Sequence, residues 1–102
     1  MNLSFEEYQQ TARQTALYPR RLENLEYPTL GLAGEAGEVA NIVKKIQRDF
    51  DGEITEETRA KLKDELGDVL WYISACADEL GLTLEEIAGF NREKLAARHG
   101  KI

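Results

Sequence analysis

Apolar residues recur at three- and four-residue spacing along almost the whole chain, and this confines it to helices. Only two prolines interrupt it, and β-branched runs are few. Ser4 and Glu7 form a capping-box pattern. A helix is expected over about 4–17, with Phe5, Tyr8, Ala12 and Ala16 on one face and Pro19 as its stop. Residues 18–27 read as a connection. A second helix should begin near Pro28 or Thr29, since proline suits a first turn. Its stripe is Leu32, Ala36, Val39, Val43, Ile46 and Phe50, and Asp51-Gly52 is a turn signal. A third follows the Thr55 cap with the stripe Leu62, Leu66, Val69, Ile73, Ala77 and Leu80, and Gly81 stops it. Thr83 and Glu86 make another capping box, opening a fourth helix with Leu84, Ile87, Ala88 and Leu95 that ends near Gly100. The expectation is an all-α, four-helix bundle-like single domain over residues 1–102. A chain of this size buries a modest core, so copies of it are expected to complete one another.

The formal net charge is −6, with 31% of residues charged. That balance speaks against a general binder of nucleic-acid polymers or anionic membranes, which usually presents a basic face. It leaves room for a small anionic ligand if cations intervene. Cys76 is the single cysteine, so no internal disulfide framework exists. The start, MNLSFEEYQQ, carries acids early and lacks a basic-plus-apolar signal. No apolar run approaches the ~20 residues of a membrane span. A reducing cytoplasm is the natural setting.

One short pattern is written twice. EAGEV stands at 35–39 and ELGDV at 65–69. On a helix, positions three apart lie about 60° from each other with Cβ atoms roughly 5–6 Å apart. Glu35 and Glu38 therefore share a face, as do Glu65 and Asp68, and both pairs border their own helix's apolar stripe. The pairs are centred on 36.5 and 66.5, with a mean of 51.5, at Asp51-Gly52. An antiparallel hairpin folding there sets the pairs nearly level. Judged from the helix ends, its turn is centred nearer 53, a misfit of roughly 2–3 Å at 1.5 Å per residue. Four carboxylates would then converge, and like charges 4 Å apart repel by about 4 kcal/mol at an effective dielectric near 20. Protons, cations or the nearby Lys44, Lys45, Lys61 and Lys63 must compensate. Gly37 and Gly67, at matching positions inside helices, point to close backbone approach or to room for a ligand.

If a metal compensates, an all-carboxylate donor set suits Mg²⁺ or Mn²⁺. Zinc is disfavoured, because His99 is the single histidine, and the Glu-x-x-His pairs of di-iron bundles are missing. The chemistry natural to such a site is attack of water on a phosphoanhydride. On the fourth helix Asn91, Lys94 and Arg98 form a polar, basic ridge beside the apolar stripe. It suits a phosphate chain or the carboxylates themselves, or it snorkels at the surface. Lys45 lies on the side of Glu38, as a phosphate or carboxylate partner. Tyr72, four residues after Asp68, falls on the carboxylate side of its helix, where it could line a base pocket or simply pack. Trp71 points away from its stripe and suits an interface. Gln10, Arg13 and Gln14 could reach a ligand, though their spacing does not require it.

The stretches GLAGEAGEVANIVKK (31–45), DELGDVLWYISACADELG (64–81) and NREKLAARHG (91–100) resemble the MazG-like nucleotide pyrophosphohydrolases, of the all-α nucleoside triphosphate pyrophosphatase superfamily. Their pattern E-x-x-E, spacer, E-x-x-D is matched by Glu35, Glu38, Glu65 and Asp68 with 26 residues between the halves. The resemblance implies that these four acids bind Mg²⁺ or Mn²⁺. It implies that water attacks the α-phosphorus of a (deoxy)nucleoside triphosphate, giving monophosphate and pyrophosphate, with Glu35 orienting or deprotonating that water. It further implies that Asn91, Lys94 and Arg98 hold phosphates and that the chain works as a homodimer or homotetramer, clearing unwanted nucleotides or adjusting nucleotide pools. The first helix matches only loosely, which leaves the base open. Phosphoribosyl-ATP as substrate, and a non-catalytic helical oligomer that binds divalent cations, are the rival expectations.

Overall fold

The computed structural model describes residues 2–100, and these form four α-helices with no strand. They are α1 (Phe5–Gln14), α2 (Glu26–Asp49), α3 (Glu56–Glu79) and α4 (Leu84–His99). The all-α expectation holds. Among the described residues no helix is long and apolar enough to cross a membrane.

The helix ends follow their local signals. The Ser4 hydroxyl accepts from the Glu7 amide while Glu7 accepts from the Ser4 amide. Thr83 and Glu86 repeat that exchange before α4. At α3 a threonine replaces the acid: Thr55 and Thr58 each receive the other's backbone N–H. Gly81, at φ 68°, closes α3, where the Leu82 amide reaches the Ala77 carbonyl and the Gly81 amide reaches Asp78. Those are the two bonds of a Schellman ending. Gly100, at φ 66°, ends α4.

Two boundaries differ from expectation. The first helix stops at Gln14, because the Thr15 amide and hydroxyl turn back to the Ala12 carbonyl before Pro19 is reached. The second begins at Glu26, so Pro28 is the third helical residue, where a missing N–H still costs nothing.

Residues Glu26–Ile73 form one compact unit, in which α2 and most of α3 run antiparallel about the turn at 50–55. The residues before and after it form the other, with α1, the connection at 15–25, the end of α3 and α4. The second unit is built on polar anchors. Gln9, only 2% exposed, donates to the Asp78 carboxylate (2.8 Å) and the Leu82 carbonyl (3.1 Å), and accepts from the Leu84 amide (2.9 Å). One side chain thus ties α1 to the end of α3 and the start of α4.

The apolar stripes are only partly covered. Ile46, Ala77 and Leu84 are buried, while Val43, Phe50, Leu66, Leu80 and Ile87 remain exposed. Of the face expected on α1, Ala12 and Ala16 are buried, but Phe5 is exposed.

Candidate functional site

The hairpin of α2 and α3 brings three of the four predicted acids together. One carboxylate oxygen from each of Glu35, Glu65 and Asp68 lies within 4.8 Å of the others. The register explains this. Gly31 of α2 packs on Tyr72 of α3, a pair centred on 51.5, as are Glu35 with Asp68 and Glu38 with Glu65. The intervening turn, between Asp49 and Glu56, is centred on 52.5, close to the value read from the helix ends. Asp51 and Gly52 make the turn with φ of 55° and 81°.

Among the described residues no lysine or arginine forms an ion pair with the group. The ion pairs among the described residues are Arg13 and Arg21 with Asp78, Arg48 with Asp49, and Lys61 with Glu57. The cost appears in the acids themselves. The Glu65 carboxyl is pushed up to about 7 by the adjoining Glu35 side chain, by desolvation and by the charges of Glu35, Asp68 and Asp64. Asp68 is raised as well, first by desolvation and then by Glu35 and Asp64. One oxygen of Glu65 is buried with no hydrogen-bond partner. Two half-buried carboxylates, Glu35 and Glu65, and the exposed Asp68, with an orphaned oxygen among them, fit a hard divalent cation, which takes oxygen donors and relieves their repulsion.

Glu38 is exposed and lies outside this group. Lys45 is exposed on α2, where its charge acts on Asp49, four residues along. Tyr72 is half-buried. Its phenol is pushed up first by desolvation, then by Tyr27, Glu35 and Asp68, so the ring stands at the edge of the cluster. Trp71 is half-buried against it, ring edge to ring face at 5.0 Å between centroids.

Asn91, Lys94 and Arg98 are exposed on α4, in the other compact unit, and the Lys94 ammonium stands 5.9 Å from the Phe90 ring centre. Of the three polar residues singled out on the first helix, Arg13 is committed to Asp78 at 2.9 Å, and Gln10 and Gln14 are exposed.

Of the two alternatives expected for Gly37 and Gly67, close backbone approach or room for a ligand, the first is not there, since a Cβ on either would meet nothing within 4 Å. It occurs at Gly31, one turn before Glu35. The 3.6-residue period marks which face Gly31 occupies but not what lies across from it.

A second acidic pair, Asp78 and Glu79, has no spacing signal in the sequence. Asp78 receives Gln9, Arg13 (2.9 Å) and Arg21 (3.2 Å). Glu79 receives the Tyr18 hydroxyl and the Leu22 and Asn24 amides, both at 2.7 Å. The available signal was electrostatic. Two acids in the last turn of α3, with no basic residue there, oppose the helix dipole unless donors meet them.

The family model for the MazG nucleotide pyrophosphohydrolase domain matches residues 24–102. The chain is 49% identical over 96 residues to the gene 37 protein of Mycobacterium phage L5, covering 89% of this chain and 84% of that protein. It is 41% identical over 73 residues to YvdC of Bacillus subtilis (strain 168), covering 66% of this chain and 68% of that one. No solved structure matches it. The matched region holds every residue of the carboxylate group and the whole of α4, and the chain belongs to the MazG nucleotide pyrophosphohydrolase domain family.

Proposed function

We propose that this chain hydrolyses (deoxy)nucleoside triphosphates to the monophosphate and pyrophosphate, dependent on Mg²⁺ or Mn²⁺. The observation that carries the reading is the uncompensated group of Glu35, Glu65 and Asp68, with a buried, unpartnered oxygen on Glu65. Such a group gains from a divalent cation, and family membership makes the anhydride of a nucleotide the natural target.

In this reading Glu35, Glu65 and Asp68 hold the metal, and Glu38 joins them by turning its exposed side chain. A bound divalent ion offsets the charge of the polyphosphate and makes a water more acidic. Glu35 orients that water and takes its proton. A bond forms from the water oxygen to the α-phosphorus as the bond to the bridging oxygen breaks, and pyrophosphate leaves with the electron pair. Lys45, Asn91, Lys94 and Arg98 supply cations and a donor for phosphate oxygens, and Tyr72 lines the base. Self-association as a homodimer or homotetramer covers apolar surface now exposed at Val43, Phe50, Leu66 and Phe90. The corresponding role is control or cleansing of the cytoplasmic nucleotide pool.

The test is a panel of ribo- and deoxynucleoside triphosphates plus phosphoribosyl-ATP, with Mg²⁺ and then Mn²⁺, products resolved. Monophosphate with pyrophosphate, lost on chelation, is the expected result. Turnover of phosphoribosyl-ATP alone would move the assignment to that substrate. No turnover of any, with metal still bound, would leave a cation-binding oligomer.

A further inference from the structure

Gly31 differs from the other glycines inside these helices. A Cβ built on Gly34, Gly37, Gly67 or Gly89 meets nothing within 4 Å. One built on Gly31 would stand 2.5 Å or less from Cδ1, Cε1 and Cζ of Tyr72, closer than real Cβ contacts come. The three atoms belong to one rigid ring, so no small rotation of a flexible tip relieves the overlap. The whole ring would have to leave.

The position of this contact gives it meaning. Gly31 is one turn before Glu35 on α2, and Tyr72 is one turn beyond Asp68 on α3. The Tyr72 ring therefore rests on the α2 backbone at the margin of the carboxylate group. Trp71 meets the same ring at an interplanar angle of 84°. Backbone and indole together restrict the ring to one pose, as a preorganised wall requires.

We infer that Gly31 is a positioning residue, which by lacking a side chain seats Tyr72 as a fixed wall for the flat base of a nucleotide. This rests on the hydrolase reading above for the nature of the ligand, though not for the seating itself. A glycine in the second turn of a 24-residue helix is unfavourable relative to alanine. Gly31→Ala should therefore fold at least as readily in its local helix, and its effect should be felt through Tyr72.

Two readouts test it. Trp71, the single tryptophan, reports the Tyr72 pose through its emission. Gly31→Ala should shift that emission, and should shift it no further in a Tyr72→Leu background. Kinetically, Gly31→Ala should raise KM for the best nucleotide about tenfold, the scale of one base–aromatic contact. The value of kcat should stay within about twofold, since the carboxylates are untouched. The Gly34→Ala variant, with open space at its Cβ, should change neither readout. Unchanged emission and KM in Gly31→Ala overturn the inference. So do independent, multiplying effects of Gly31→Ala and Tyr72→Leu. If the parent turns over no nucleotide, the hydrolase reading fails by itself. The seating of Tyr72 by Gly31 then stands or falls on the emission of Trp71.

Discussion

Helix α3 carries two acidic pairs with opposite fates. Glu65 and Asp68 face Glu35, have no basic partner among the described residues, and are pushed towards the protonated state. Asp78 and Glu79, three turns on, are saturated with donors from Gln9, Arg13, Arg21, Tyr18 and two backbone amides. Desolvation opposes ionisation of Glu79, yet the bonds from Tyr18, Asn24 and Leu22 prevail and hold its carboxyl below the usual value. The same residue types on one helix thus serve two ends. Where donors meet them, acids brace the fold. Where only other acids meet them, they store repulsion that a cation can release. Strain is present at both places, since Arg20 and Leu22 take left-handed φ of 51° and 73° in the segment that Glu79 receives.

The largest expected effect separates the pairs by activity. Glu35→Gln should lower kcat by about 10²–10⁴-fold, the range for loss of a general base. Its melting temperature should hold or rise, because a repulsion is removed. Glu38→Gln should likewise keep the fold and lose turnover. Parental rates in either variant would dismantle the assignment of that residue.

Asp78→Ala should do the reverse. It strands two arginines and Gln9, which should cost about 2–3 kcal/mol after allowance for the solvent exposure of the arginines. For a domain of this size that is roughly 10–20 °C in Tm. The Mg²⁺-induced shift of whatever remains folded should persist. A melting curve like the parent's would show that the brace is ornamental.

Titration compares the pairs within one sample. A carboxyl raised when folded, like Glu65, favours folding below its unfolded value of 4.5, and that contribution is lost as pH rises through about 7. Without divalent metal, Tm should therefore fall between about pH 5 and 8. Millimolar Mg²⁺ should flatten the decline and raise Tm as RT ln(1 + [L]/Kd). Glu79 behaves oppositely: its contribution is present above the unfolded value of 4.5 and is lost as acid titrates it. A Tm indifferent to Mg²⁺ across this range would count against the metal site.

The smallest effect concerns the turn that sets the register. Gly52 has φ 81°, and Gly52→Ala should cost about 1–2 kcal/mol. Thermal melting would detect it, and a cost near zero would mean that the hairpin tolerates another turn.

Much of this was legible beforehand. Ser4 with Glu7, Thr83 with Glu86, Gly81 and Gly100 mark helix ends because capping is local, settled within three or four residues. The convergence of Glu35, Glu65 and Asp68 was legible because two helices joined by a short turn leave one register, and matched spacing from that turn sets residues level. The Asp78–Glu79 brace and the Gly31–Tyr72 contact were not. Gln9 reads as one more polar residue on α1 until its partners 69 and 75 positions away are in place.

By itself, then, the sequence determined four helices, their caps, the hairpin and an acidic face on it, since each depends on periodicity or on neighbours a few residues apart. The tertiary structure alone decided which acids are neutralised and which are left charged against one another. It also decided that Gly31, rather than Gly37 or Gly67, is the glycine that another side chain needs. Those outcomes depend on which groups meet across long sequence separations, and electrostatic and steric energies act over a few ångströms of space, whatever the distance along the chain.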